Sequence, residues 1–295
     1  MKKYILLFTG LFIALNLCAQ LSVKWEELTT PEFTQAVLKS NKVCVVPLGI
    51  IEKHGPYLPL GTDLYIVRDV AVKAAQKEYV VVFPEFFAGQ INESRHQPGT
   101  IAYSPELVWK ILEETLDEIA RNGFEKIILI NGHGGNNSML SYFSMALLNK
   151  RRDYTVYFTA GWDLYTDDSQ KKSVTDQLAK IPADAPGHAG ADEAAEIMVL
   201  RPDLVKLDYN SQESGKNQNR LKNLTMATSG IEWYSLYPNQ YAGDAHYGNK
   251  DLGNALLNTT TNGLIKAFRE VKADTSAPVL MKEFYDRADD PMKNN

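Results

Sequence analysis

Within residues 49–63, GIIEKHGPYLPLGTD, the chain sets Glu52, His54 and Asp63 among glycines and prolines, directly after the apolar run VCVVPL. Each of these three groups is costly to bury without a partner. His133 follows in NGHGGN (131–136), and His188 follows in GHAGADE (187–193) with Asp192 and Glu193. Imidazole nitrogen combined with carboxylate oxygen suits zinc, manganese or iron, and one aspartate can serve two ions. Asp63 is the natural bridge by position, because it falls where a helix begins and the helix dipole keeps it ionised. Taken singly, the motifs have plainer readings. A His-Gly pair is commonly a turn or a satisfied polar group, and NGHGGN also fits a glycine-rich anion nest ahead of a helix. Three separate loops that each carry histidine with a nearby acid point instead to one shared metal site.

The elements that must position these groups alternate along the chain. Thr30-Pro31-Glu32 opens a helix to about Ser40, and the strand 43–48 follows. Helical spacing marks 64–77, a β-branched run marks a strand at 79–84, and Ser104-Pro105-Glu106 opens a helix closing at Asn122-Gly123. Strands at 126–130 and 154–160 flank a helix at 137–150. The GHAGADE motif opens a helix containing Glu196, Ile197 and Val199, and a last long helix covers 251–271. Continuous apolar strands separated by helices predict an α/β fold, a three-layer α/β/α sandwich around a mainly parallel sheet. Ligands of such sheets sit beyond the carboxyl ends of the strands, where all three motifs fall. The polar segment from about 203 to 248 is expected to be a substrate or oligomer loop, and the tail after Ala273 to be peripheral.

Lys2 and Lys3 ahead of the apolar stretch 4–17, with Ala19 before Gln20, predict a signal peptide over residues 1–19 and one domain over 20–295, secreted or periplasmic. Lipidation at Cys18 is disfavoured by the bulk of Leu17. Loss of Lys2 and Lys3 takes the formal net charge from −5 to −7, which disfavours nucleic acid and anionic membrane surfaces and favours a small-molecule substrate. Cys44 then has no partner for an intrachain disulfide and is expected to be an inert core thiol.

The stretch PLGIIEKHGPYLPLGTD at 47–63, with NGHGGN at 131–136 and HAGADE at 188–193, resembles the creatininase family, the creatinine amidohydrolases, and the likeness extends from about Trp25 to Arg269. The resemblance implies an α/β metal-dependent amide hydrolase, often hexameric, with two divalent ions drawn from zinc, manganese or iron. Carried over, Glu52 and His133 bind the first ion, His54 the second, Asp63 bridges them, and His188 assists proton transfer. Three positions depart from creatininases proper. Gly135 stands in place of a glutamate ligand, which leaves the second ion either to Glu193, paired with His188 as catalytic, or weakly held. Tyr57 replaces a histidine. No tryptophan lies just before His188, where creatininases cover the substrate with one, so creatinine itself is disfavoured.

Arg95 and His96 in ESRHQPGT (93–100), Tyr57 and Trp162 are the candidate substrate contacts, Trp233 a further candidate for stacking, and His246 in YAGDAH a residue for a neighbouring subunit's cleft. The expected reaction is attack of metal-activated water on a small cyclic or formyl-type amide, with His188 as proton donor. The rival expectation is a non-catalytic, metal-containing binding protein on the same fold.

Overall fold

The computed structural model describes residues 21–293; the expected signal peptide and Cys18 lie outside the described residues. Strands β1 (Val43–Leu48), β2 (Val81–Val82), β3 (Lys126–Asn131) and β4 (Thr155–Ala160) form a parallel sheet in the order β2-β1-β3-β4. Every residue of β1 is buried, as expected for an inner strand covered on both faces. Alternate residues divide between two cores. Cys44, Val46, Leu48, Ile127 and Leu129 pack towards α1 (Thr30–Lys39), α3 (Pro105–Arg121) and α4 (Asn136–Ala146). Val43, Val45, Ile128 and Ile130 pack towards α2 (Thr62–Lys77) and the long α8 (Lys250–Ala273). The sandwich is therefore three layers deep, with α5 (Asp168–Leu178) and α6 (Ala191–Leu200) beside α8.

Local signals set most boundaries. Ser104 caps α3 by accepting from Leu107 N, with Pro105 in the first turn. The cap of α1 is Thr29 rather than Thr30: its backbone N–H donates to Glu32, which also takes its hydroxyl, while Pro31 occupies the first turn. The strand expected at 79–84 is shorter. The ladder with β1 is Val81–Val82, with Phe83 N still donating to Val45 O, and it stops where Pro84 has no N–H to continue it; Val82 N is spent on Val23 O at the outer edge. The helix expected over 137–150 ends at Ala146 and tightens into a 3₁₀ turn, Leu147–Asn149. The tail carries α9 (Ser276–Ala288), peripheral except for Tyr285, which is buried with its hydroxyl on the Leu147 carbonyl. The polar segment is a loop that carries the short helix α7 (Glu232–Leu236) and the 3₁₀ turns Leu207–Gln212 and Ala245–Tyr247. Cys44 is fully buried, and its thiol is held in the neutral form by that burial. Among the described residues no helix is long and apolar enough to cross a membrane.

Candidate metal centre

Strands β1 and β3 run in register to their ends, with Leu48 opposite Asn131, so the loops bearing Glu52 and His133 leave the sheet at one edge. Gly132 N donates to Leu48 O at 2.7 Å, and a Cβ there would meet Val67 Cβ at 2.6 Å; only glycine lets the two strand ends close. Asn131 then turns the loop, its Oδ1 accepting from His133 N at 3.1 Å and from Asn136 Nδ2 at 3.2 Å. Asp63 lies in the first turn of α2 and Glu193 in the first turn of α6. The chain reaches α6 through Ala189, whose φ of 58° is rare for a residue with a side chain. That turn is held by Ala189 N donating to Glu193 Oε2 at 2.6 Å and by the Tyr57 hydroxyl donating to Ala189 O.

The three loops bring the acids and imidazoles together. Asp63 Oδ1 is 3.0 Å from His54 Nε2, and Asp63 Oδ2 is 3.1 Å from His133 Nδ1. Glu52 Oε1 lies 2.9 Å from the same His133 nitrogen, and Glu193 Oε2 lies 3.6 Å from His54 Nε2. Glu52, Asp63 and His133 form one possible ligand set, His54, Asp63 and Glu193 a second, and Glu52, His54 and His188 a third. Each imidazole has its other nitrogen occupied. His133 Nε2 meets Gln90 O at 3.0 Å and His54 Nδ1 meets Glu52 O at 3.3 Å, so with a metal bound both rings would keep their proton on the outer nitrogen and turn a lone pair inward, where the carboxylates lie. Glu52 Oε1 and Asp63 Oδ2 are buried without a hydrogen-bond partner. Lone pairs converging on buried carboxylate oxygens repel unless a cation lies among them, and these donor types fit a divalent transition metal. The same carboxylates exclude NGHGGN as an anion nest.

Without a metal, protons relieve the repulsion. Burial alone pushes the His54 imidazolium down, but Asp63 and Glu193 outweigh it and hold the ring up at about 10. His133 is raised well above its usual range, Glu52 and Asp63 overcoming its burial. Burial raises the Glu193 carboxyl to about 7 despite His54 beside it, and burial with Glu193 next to it raises Asp192 to about 6. His188 differs, because burial lowers its pKa and keeps it neutral against the pull of Glu52. Its Nε2 lies 2.9 Å from Lys53 O and 3.7 Å from Glu52 Oε2, and its ring stacks at a tilt on His54 with centroids 4.4 Å apart.

The remaining candidates take varied places. Tyr57 is buried against Tyr241, its hydroxyl spent on Ala189 O. Arg95 is exposed, while His96 uses Nε2 to hold Pro238 O at 2.7 Å and packs on Tyr234. Trp162 is half-buried just past the end of β4, and His246 is exposed and bonded to Asp244. Trp233, by contrast, reaches the site and stands against His188. Inspection of residue types did not single out Gln90, the Lys53 carbonyl or Gln240. Two of these act through backbone oxygens, which carry no side-chain signal.

Fold and site together define a parallel α/β sandwich with a candidate divalent-metal centre at the carboxyl edge of its sheet. The chain belongs to the creatininase family, whose profile, described as creatinine amidohydrolase, matches residues 26–268. Among its relatives is creatinine amidohydrolase of Pseudomonas putida, 27% identical over 196 residues, which are 62% of this chain and 73% of that protein. The mycofactocin precursor peptide peptidase of Mycolicibacterium smegmatis is 30% identical over 170 residues, 56% of this chain and 60% of its own length. A 2-amino-5-formylamino-6-ribosylaminopyrimidin-4(3H)-one 5'-monophosphate deformylase of Methanobrevibacter smithii is 27% identical over 123 residues, 40% of this chain and half of that protein. A crystal structure of creatinine amidohydrolase superposes with a TM-score of 0.71 at 21% identity, covering 86% of this chain and 99% of that one. The match extends to structures titled as zinc and manganese forms of creatininase, and at 22% and 21% identity it is a match of fold.

Proposed function

We propose that this chain is a metal-dependent hydrolase that cleaves a C–N bond in a small amide. Two divalent ions, zinc, manganese or iron, would be held by Glu52, Asp63 and His133 and by His54, Asp63 and Glu193. The observation that carries this is the shared Asp63, whose two oxygens face the inner nitrogens of two imidazoles beside the buried Glu52 Oε1. Ions bound there polarise an amide carbonyl and lower the pKa of water from 15.7 towards about 7.

The chain's own groups supply orientation and proton movement. His133 and His54 are fixed as ligands by Gln90 O and Glu52 O, which set their tautomers. His188 donates Nε2–H to Lys53 O, which leaves a neutral lone pair on Nδ1. A bare amide anion is a very poor leaving group, so the nitrogen must gain a proton as it departs, and Nδ1 of His188 takes a proton during attack and returns it to that nitrogen. The left-handed Ala189 and the Tyr57 bond to its carbonyl hold His188 in place for this transfer.

The test is metal content against turnover. Chelated protein reloaded with manganese or zinc is expected to carry two ions per chain and to release amine or ammonia from a panel of small amides; reloaded protein that binds no ion, or binds two and turns over nothing, overturns the assignment. The proposal includes export, supported by Lys2, Lys3 and the apolar stretch behind them, and N-terminal sequencing of the exported chain checks it.

A further inference from the structure

The polar segment expected to be a loop is a strap tied across the catalytic edge. Glu213 pairs with Lys53 through both carboxylate oxygens, each at 2.7 Å. Gln240 O accepts from Gly55 N at 2.8 Å, and Gln240 Nε2 donates to Glu93 O at 3.2 Å. His96 and Gln97 both hold Pro238 O, at 2.7 and 2.8 Å, and Ala242 N donates to His188 O at 2.8 Å. The strap thus links the first-motif loop, the 93–97 loop and the His188 loop. Gln240 is buried in a left-handed conformation with φ of 51°, a strained backbone held by these bonds.

From this strap α7 presents Trp233, half-buried, with its ring centroid 5.8 Å from that of His188 and the two planes at 89°. His188 and Glu193 have the most exposed side chains of the cluster, at 14% and 25%, so substrate enters on the side where Trp233 stands. The indole N–H is already given to Gln240 Oε1 at 2.7 Å, and Tyr237 supports the ring at 5.0 Å. What remains to a substrate is a rigid, flat apolar surface with no free donor. The strap ties together the loops around this side of the site. A small ring amide has flat faces for the indole and an edge carbonyl for the metal centre.

We propose that Trp233 is a specificity-determining wall, positioned by Gln240, that selects ring-closed amides of the lactam and imide class over open-chain amides and peptides. This rests on the metal centre proposed above. The test uses the manganese-loaded full chain with hydantoin, dihydrouracil and creatinine as ring probes, and N-formylglycine and triglycine as open ones. Binding is read by tryptophan fluorescence, with Trp233→Phe identifying that residue's signal, and turnover by steady-state kinetics. At least one ring amide is expected to bind and quench Trp233. Trp233→Ala should weaken it roughly fivefold to tenfold, the scale of one aromatic contact, in KM rather than kcat. Trp233→Phe should recover most of that loss, and Gln240→Ala should shift KM the same way, with N-formylglycine handled alike by all variants and triglycine left intact. Binding of no ring amide, an unchanged affinity in Trp233→Ala, equal losses on N-formylglycine, or cleavage of triglycine each overturns the proposal. Trp233-dependent binding of a ring amide without hydrolysis of any probe upholds the wall and sinks the hydrolase assignment alone.

Discussion

Asp63 presents Oδ1 to His54 Nε2 at 3.0 Å and turns its other oxygen to His133 Nδ1 at 3.1 Å, so one carboxylate separates two imidazoles in a buried site. Among the described residues, the further carboxylates within reach are Glu193, 3.6 Å from His54 Nε2, and Glu52, 2.9 Å from His133 Nδ1. Replacement Asp63→Asn keeps the shape but leaves one oxygen where two are needed. Metal content by elemental analysis is expected to fall for both ions together, and turnover to fall by at least about 100-fold. Loss of one ion with the other fully retained would contradict the bridging role.

His188 touches the same cluster but has a different part, being neutral, bonded to Lys53 O and 3.7 Å from Glu52 Oε2. His188→Gln is expected to retain the metals and lower kcat by roughly 10²–10⁴, the range for loss of a proton-transfer group. It should also flatten the acidic limb of the pH–rate profile. A variant that loses metal and activity in parallel would make His188 a ligand instead.

The legible parts of this chain are those in which one physical demand dominates a short stretch. VCVVPL and KIILIN are buried on both faces and read directly as inner parallel strands. Glu52, His54 and His133 declare themselves because acids and imidazoles at strand ends have no core role. The strand expected at 79–84 is shorter, because the β-branched run does not show where Pro84 ends the ladder to β1. The strap is illegible in the sequence. Its residues show no hydrophobic period, and the contact of Trp233 with His188 depends on Gln240, Pro238 and Glu213 finding partners on two other loops, far away in the chain. His96 reads as a substrate contact by type, whereas the structure uses it to hold that strap.

Stability of the metal-free protein is expected to fall as pH rises. Glu193 and Asp192 have folded pKa values of about 7 and about 6, above their ordinary 4.5 and 3.8, so between roughly pH 4 and 7 the folded state keeps protons that the unfolded chain has released. Each therefore removes stability progressively across that window. His54, raised to about 10, contributes stability that is complete below its ordinary 6.5 and is lost as pH climbs through about 10, so it acts in the same direction. The melting temperature of chelated protein should drop by at least about 5 °C between pH 5 and 9. Metal ions replace these protons and bind more tightly as pH rises, so the gap between loaded and chelated protein should widen over the same range. A chelated protein that becomes more stable towards alkaline pH would refute the protonation pattern.

Gly135 stands where creatininases proper carry a glutamate ligand, and the packing around it argues against simple restoration. A Cβ at Gly135 would clash with His133 Nε2 and lie 2.9 Å from Glu93 Oε1 and 3.1 Å from Gln90 O. That is the space in which Gln90 O holds the outer nitrogen of His133, and in which Gln90 Nε2 holds Glu93 at 2.8 Å. A side chain there would push His133 off its tautomer-setting partner before it could reach an ion. Gly135→Ala is expected to weaken metal binding by about 10–100-fold and to destabilise the fold by about 1–3 kcal/mol. Gly135→Glu should do at least as much harm, with part of the loss recovered when Glu93→Ala is added to make room. Metal titrations and chemical denaturation of the three proteins check this, and a Gly135→Glu chain that binds its ions more tightly than wild type would show that the site accepts a ligand from this position after all.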